Sequence, residues 1–419
     1  MTDGGKAVKG TGDATPLADF LSKALALVRP LPPVDIDMTQ STGAVLAENA
    51  VNPGPLPAFD YAAIDGYACA ADDIAGASPE RGVGLKVLGD LAASSWRPVR
   101  LVPGTCFSVA AGAALPVGAD IVVPLAWTDE GMATVDVRQA PRRGHGVRRM
   151  GSERPSGEIL AHEGRRVTPQ LVALLAAAGI ADVVVRPTPR VVVIATGDEL
   201  VDTGRPSQPG QLIDVNSHLV TAAASEAGAH AYRVGICDDE PDALRTVLDD
   251  QILRADLVIT TGGTGTGPGD MVRRTFSRDG AVDFAPIAVY LCETMGFGTI
   301  GPEEVPVVCL PGDPVAATIA FEVVARPLIQ RLAGAEPVFR PSVRANLTEP
   351  VSSPSGLREF RPVRVAERRG GGYTVAPLGS TSYTLSGLAE ATGLMTVGEN
   401  ATRVPAGSTV DVLLLDRNR

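Results

Sequence analysis

Apolar and polar positions change register several times along this chain, and the changes divide it. From Pro16 to about Val28, PLADFLSKALALV spaces its apolar residues as a helix does, behind a proline, and predicts an opening helix. The next run, VDIDMTQSTGAVLAENAV, leads through turn residues into PGPLPAFDYAAIDGYA, Pro53 to Ala68, whose Pro, Gly and acids predict an irregular loop. From Leu85 to Val137 the short β-type runs LKVLGD, CFSVAAG, ADIVVPL and ATVDV recur between Gly and Pro turns, the pattern of a small β domain. The basic stretch RRGHGVRRMGSERPSGEIL then returns the chain to a hinge. It is followed by a helix predicted from about Thr168 to Ala178 and stopped by Gly179.

Beyond Pro189 strand and helix alternate: VVVIAT, a helix capped near Asn216 or Ser217 and ending at Gly228, AYRVGI, a helix begun at Asp239-Glu240-Pro241, and DLVITT. This predicts a parallel α/β domain. It continues through a helix after Pro268, a hairpin from Val282 to Ile300, the strand VPVVCL, and a last helix from Pro314 to Leu332. After Gly334 the runs RANL, EFRPVRV, YTVAPL, GLMTVGE and TVDVLLL predict a C-terminal small β barrel. The expected fold class is α/β and β multidomain.

Composition agrees. A chain of 419 residues exceeds one ordinary core, and its 46 Gly, 34 Pro and 4% aromatics suit turn-rich β modules beside an α/β unit. A net charge of −11 argues against nucleic acid as a partner, so any anionic ligand must be held locally. The five cysteines form no C-x-x-C pair and fit a reducing cytosol. His145, His162, His218 and His230 lack metal-ligand spacing. The leader MTDGGKAVKGTGDATP has no apolar core, and the longest apolar run, Leu171 to Ala181, is too short for a membrane span. The expected location is the cytoplasm.

The candidate chemistry lies in DLVITTGGTGTGPGD, Asp256 to Asp270, where a β-branched strand enters a loop carrying Gly262, Gly263, Gly265, Gly267 and Gly269. Without Cβ atoms, consecutive amides can form a phosphate-cradling nest, and Asp270 can hold a magnesium ion beside it. The loop lacks the Lys-Ser/Thr ending of a P-loop and the G-x-G-x-x-G fingerprint. A second strand-to-loop switch, VVVIATGDEL, brings Gly197, Asp198 and Glu199. In an open parallel sheet both loops would share the crevice outside the strand ends.

Six motifs in order, FDYAAIDGYA (Phe59 to Ala68), VRRMGSE (Val147 to Glu153), TGDEL (Thr196 to Leu200), GICDDEPDAL (Gly235 to Leu244), TTGGTGTGPGD (Thr260 to Asp270) and LPGDPVAA (Leu310 to Ala317), are carried by a chain that resembles the MoeA/gephyrin family of molybdopterin molybdenumtransferases over nearly its whole length. The resemblance implies an elongated homodimer. Its subunits would have a split helical linker domain (14–50 and 147–186), a β domain (51–146), a molybdopterin-binding α/β domain (187–334) and a C-terminal β-barrel domain (335–419). It implies that adenylylated molybdopterin, supplied by a molybdopterin adenylyltransferase, receives molybdate while its phosphoanhydride is hydrolysed with Mg2+ and AMP leaves. By motif, Asp60, Glu199, Asp239 and Asp270 match the family's catalytic acids, with Glu199 and Asp270 as metal ligands. Gly262, Gly263, Gly265, Gly267, Pro311, Gly312, Pro314 and Arg148 match ligand-binding positions.

Plainer roles stand beside these. Asp239 is also placed to cap the helix entered at Pro241, Asp313 to cap the helix begun at Pro314, and Asp60 and Asp65 to form turns. The chain also departs from the family's pattern. Where two hairpin lysines are usual it has Tyr290 and Glu293, Tyr61 and Ala62 replace Asn-Ser, Ala111 stands where Thr is common, and Ser152-Glu153 replaces Glu-Asp. At about 4 Å and an effective dielectric of about 20, one charge pair is worth on the order of 4 kcal/mol, so these changes oppose oxyanion binding. Arg148, Arg149, Arg273 and Arg274 are candidates to compensate. The alternative reading is a paralogue that binds molybdopterin or a nucleotide, or scaffolds a partner, with weakened metal insertion. A nicotinamide oxidoreductase fits poorly, because the dinucleotide spacing fails.

Overall fold

The computed structural model describes residues 14–415 except 96, 268 and 293. The opening helix, Leu17–Leu27, forms as expected. Its buried face packs on the α/β unit: Phe20 meets Phe297 edge-on with ring centroids 4.8 Å apart, and Leu17 and Ala24 join the same core. The run VDIDMTQSTGAVLAENAV, read only as leading through turn residues, contains the strands Val34–Asp37 and Val45–Leu46, which flank Asp182–Arg186 in a three-stranded sheet. The helix Pro169–Ala177, capped by the Thr168 hydroxyl, covers that sheet with Leu171 and Leu175.

The segment expected to be irregular ends in a strand. Gly66–Cys69 lies between Thr105–Val109 and Ile121–Pro124 in a five-stranded sheet, and all four of its residues are buried. Tyr67 and Cys69 enter one apolar cluster and Ala68 another, so both faces are covered and the usual polar alternation is absent. Gly66 admits the close approach of the next strand, since a Cβ there would lie 2.0 Å from the Val123 carbonyl oxygen. The sheet is completed by Val83–Leu91 and Thr134–Val137.

The α/β unit is built from β1 (Arg190–Ala195), α1 (Asn216–Glu226), β2 (His230–Arg233), α2 (Pro241–Ile252), β3 (Leu257–Thr261), α3 (Met271–Asp279), β4 (Val282–Pro286), β5 (Thr294–Ile300), β6 (Val305–Leu310) and α4 (Pro314–Ala320). The sheet order is β2-β1-β3-β6-β5-β4. β1, β2, β3 and β6 run parallel, and the expected hairpin adds β5 and β4 antiparallel at one edge. Val191, Val193, Leu257, Ile259, Val308 and Leu310 face one apolar cluster, and Val192, Ile194, Val258, Val307 and Cys309 the other. Burial on both faces explains the unbroken apolar runs of these strands.

The last helix reaches Leu332 as expected, with a π turn at Phe321–Ala325. That turn holds a buried carboxylate, Glu322, which pairs with Arg326 at 2.8 Å and Arg340 at 2.6 Å. Arg340 also donates to the Leu414 and Leu415 carbonyls, tying the α/β unit to the barrel. Each predicted C-terminal run supplies one strand of a closed five-stranded barrel: Ser342–Leu347, Tyr373–Pro377, Glu359–Glu367, Gly393–Val397 and Thr409–Leu414. Among the described residues no helix is long and apolar enough to cross a membrane.

Candidate functional site

β1, β3 and β6 end side by side, and their loops meet. Thr196 N–H donates to the Thr261 carbonyl at 3.3 Å, and Gly262 N–H to the Leu310 carbonyl at 3.2 Å. Gly262 adopts φ +88°, where a side chain would be strained, and a Cβ there would lie 3.0 Å from the Thr196 carbonyl oxygen. Gly312 packs against Gly262 from the third loop, between the buried Pro311 and Pro314, the first residue of α4. Asp313 caps α4, accepting the Ala316 N–H at 2.9 Å. A cavity of about 130 Å³ lies among these loops, lined by Thr196, Glu199, Asn216, Thr261, Gly262 and Pro314.

The glycine loop is partly closed on itself. Asp270, just before α3, leaves its own helix uncapped and turns back to accept the N–H groups of Gly265, at 3.0 Å, and Gly267. Two amides expected to face a phosphate are therefore already bonded. Gly263 N–H is not among these, and its carbonyl accepts from Arg273 N–H at 2.9 Å. Pro268 lies outside the described residues.

The acids of the other loops gather beside this one. Asp239 N–H donates to Asp198 Oδ1 at 2.9 Å, and the Glu199 carboxylate lies over Gly197, where a Cβ would come within 2.7 Å of it. Burial pushes the Asp239 carboxyl above its ordinary value. A backbone hydrogen bond from Asp198 opposes this, and the charges of Asp198, Glu199 and Asp270 add to it. The helix α2 has Glu240 at its cap position, with no side-chain cap bond, so Asp239 does not cap it. Among the described residues no group of three or more His, Cys, Asp or Glu forms a ready metal centre. A magnesium ion would fit only as a two-carboxylate site whose remaining ligands are water and phosphate oxygens.

Asp60 and Arg148 lie elsewhere, on the β domain's rim. Asp60 accepts Arg149 at 2.6 Å and the Met150 N–H at 2.7 Å; partial burial raises its pKa, but these donors outweigh it and leave it below the ordinary value. Arg148 is exposed in a short strand, Val147–Arg148, paired with Tyr61–Ala62. Asp65 accepts the Ala111 N–H at 2.8 Å. Neither Asp60 nor Arg148 makes a hydrogen bond or ion pair with the α/β acids, so within one subunit the described geometry does not join the two sets.

Tyr290 lies in the turn between β4 and β5, edge-on to Tyr383 with centroids 5.5 Å apart, at the junction with the barrel. The same turn reaches α4, where the Cys292 thiol donates to the Ala316 carbonyl at 3.4 Å. Glu293 lies outside the described residues. Of the four arginines expected to compensate, Arg149 pairs with Asp60 and Arg273 stacks 5.6 Å over the Phe284 ring.

Sequence reasoning missed Asp214 and Asn216. The expected cap of α1 at Asn216 or Ser217 is in fact supplied by buried Asp214, which accepts the Ser217 N–H at 3.0 Å and the Ser217 hydroxyl. Arg233 Nε donates to Ser217 Oγ at 2.6 Å and completes the cluster. The run DVNSH carries these residues, but an Asp two places before a helix reads as a turn former, which hid them.

These parts define a class: a modular protein with an acid-lined cleft at the strand ends of an α/β domain, flanked by a β domain and a closed barrel. Residues 15–179 match the MoeA N-terminal region (domain I and II), residues 192–331 a probable molybdopterin binding domain, and residues 344–415 the MoeA C-terminal region (domain IV). Molybdopterin molybdenumtransferase 2 of Mycobacterium tuberculosis is 36% identical over 392 residues, 92% of this chain and 96% of that protein. The molybdopterin molybdenumtransferase of Bacillus subtilis is 30% identical over 395 residues, 91% and 89% of the two chains. A crystal structure of the molybdopterin biosynthesis MoeA protein from Pyrococcus horikosii superposes with a TM-score of 0.80 at 28% identity, covering 96% of this chain and 99% of that one. The chain belongs to the MoeA family of molybdopterin molybdenumtransferases, enzymes of molybdenum cofactor biosynthesis.

Proposed function

We propose that this protein inserts molybdate into adenylylated molybdopterin, hydrolysing the phosphoanhydride with Mg2+ and releasing AMP. The observation that carries the proposal is the gathering of Glu199, Asp239 and Asp270 beside the Gly262 turn at the strand ends. Opening a phosphoanhydride asks for charge neutralisation and positioning more than for a covalent intermediate. When bound, magnesium supplies that neutralisation on the phosphate oxygens. Glu199 and Asp270 would hold it, and Asp239, which keeps its proton more tightly than an ordinary carboxyl, is suited to exchange a proton with the attacking oxygen. Gly262 and Gly263 let the phosphates approach the backbone, Gly265 and Gly267 admit the Asp270 carboxylate, and Pro311, Gly312 and Pro314 form the facing wall.

Asp60 and Arg148 have no partner among these acids in their own subunit, which supports a homodimer in which each subunit's β domain serves the other's cleft. The chain's domains in this reading are 14–50 with 147–186, 51–146, 187–334 and 335–419. The working place is the cytoplasm, with a molybdopterin adenylyltransferase as the source of substrate. A second reading, a binding protein with weakened insertion, is favoured by Tyr290: packed on Tyr383, it offers no cation where the hairpin would otherwise present lysine. Reconstitution separates the two. Protein incubated with adenylylated molybdopterin, molybdate and magnesium should activate a molybdenum-dependent apoenzyme; binding without activation favours the second reading.

A further inference from the structure

Among the described residues no hydrogen bond or ion pair holds the Glu199 carboxylate, so its backbone decides where it lies. That backbone is one leg of a loop. Residues 199–214 run from the end of β1 to the start of α1, and the two legs, Leu200–Val201 and Leu212–Ile213, pair side by side along the cavity. The Glu199 carbonyl accepts the Leu212 N–H at 2.8 Å, and the Val201 carbonyl accepts the Asp214 N–H at 2.9 Å. Two residues a side make a marginal ladder, which needs an anchor outside itself. Arg233, the last residue of β2, supplies one. Its Nη2 donates to Asp202 Oδ1 at 2.6 Å on the outgoing leg and lies 3.6 Å from Asp214 Oδ2 on the returning leg. Its Nε donates to Ser217 Oγ at 2.6 Å in the first turn of α1, and the Ser217 hydroxyl donates to Asp214. His218 makes a longer approach to Asp202, at 3.7 Å. One guanidinium therefore joins both legs of the loop, the neighbouring strand and the helix that follows.

We infer that Arg233 is a positioning residue for the reaction: it clamps the 199–214 loop to β2 and α1 and so sets where the Glu199 carboxylate stands to receive magnesium. Arg233 itself is bonded to Asp202 and Ser217, away from the metal, and acts through the backbone of the leg that carries Glu199. The side-chain type matters. A planar guanidinium reaches several oxygens in fixed directions, whereas a lysine ammonium is a point charge on a flexible stem. The inference rests on the proposed function, to which Glu199 as a magnesium ligand belongs. It also differs in sign from a plain charge effect. A cation near a metal site repels the metal, so if Arg233 acted by its charge, removing it would tighten magnesium binding. If it acts by position, removing it weakens binding.

The test is titration calorimetry of magnesium into the full chain saturated with AMP, for the parent and for Arg233→Lys, Arg233→Met and Asp202→Ala, with melting temperatures alongside. All three variants should bind magnesium about tenfold more weakly, the low end of what losing an outer-shell partner costs a metal site. Arg233→Met leaves the buried Asp214, whose side chain is 1% exposed, without its counter-charge and is the variant at risk of not folding. Arg233→Lys keeps that charge and loses the fork, so it carries the test if the methionine variant fails. Asp202→Ala removes the half-exposed partner and should move the melting temperature little. Magnesium affinity unchanged in Arg233→Lys, or tighter in Arg233→Met, would overturn the inference and leave the proposed function standing. A lowered melting temperature with parental magnesium affinity would do the same, since it marks a role in stability alone. A parent that binds AMP but no magnesium would overturn the proposed metal site and the inference with it.

Discussion

The Asp270 carboxylate accepts the Gly265 N–H at 3.0 Å, so the acid placed to cap α3 instead braces the glycine loop before it. A Cβ on Gly265 would come within 2.8 Å of Asp270 Oδ2 and push the carboxylate away. Gly265→Ala is expected to weaken magnesium-dependent AMP binding at least about tenfold while costing about 1–2 kcal/mol of stability, the scale of one or two lost hydrogen bonds. Titration calorimetry with and without magnesium checks this. Unchanged affinity would mean that the brace plays no part in binding.

Asp239 gives a pH signature. Its pKa is raised from 3.8, chiefly by burial, so the folded state binds this proton more tightly than the unfolded chain does. The group therefore leaves stability highest below about pH 4 and lowers it as pH rises through the raised value. Asp239→Asn should raise the melting temperature at pH 7, lose that advantage near pH 3.5, and abolish AMP release. Equal shifts at both pH values would contradict the assignment.

Tyr290→Lys removes an aromatic pair with Tyr383 worth about 0.5–1.5 kcal/mol and adds a cation to the turn between β4 and β5. A lower unfolding midpoint together with tighter molybdate binding is expected. If molybdate affinity does not change, the oxyanion's positive partner lies elsewhere, with Arg148 the first to examine.

Glu322→Gln should destabilise the fold by about 3–5 kcal/mol, because Arg326 and Arg340 would stay buried without their shared counter-charge. Denaturant unfolding measures it. A loss under 1 kcal/mol would mean that Glu226, which also contacts both arginines, suffices alone.

The five barrel strands and the α/β alternation were legible because their apolar runs end at Gly, Ser or Pro turns. Gly66–Cys69 was not, since a strand covered on both faces loses its alternation, and its Gly and small residues resemble a loop. Of the candidate site, the nearness of the acids was legible: Glu199 and Asp270 both lie within electrostatic reach of Asp239. What no local pattern encodes is how a side chain turns. Asp270 faces backward onto Gly265, and Asn216 reaches Gly312 across 96 positions of chain.

The most direct measurement of the central claim is AMP release by the purified protein supplied with adenylylated molybdopterin and molybdate. Release should require magnesium and should fall at least about a hundredfold in a Glu199→Ala, Asp270→Ala double variant, the scale of removing preorganised charge stabilisation from a reacting centre. Release that is independent of magnesium, or that survives the double substitution, would contradict the account.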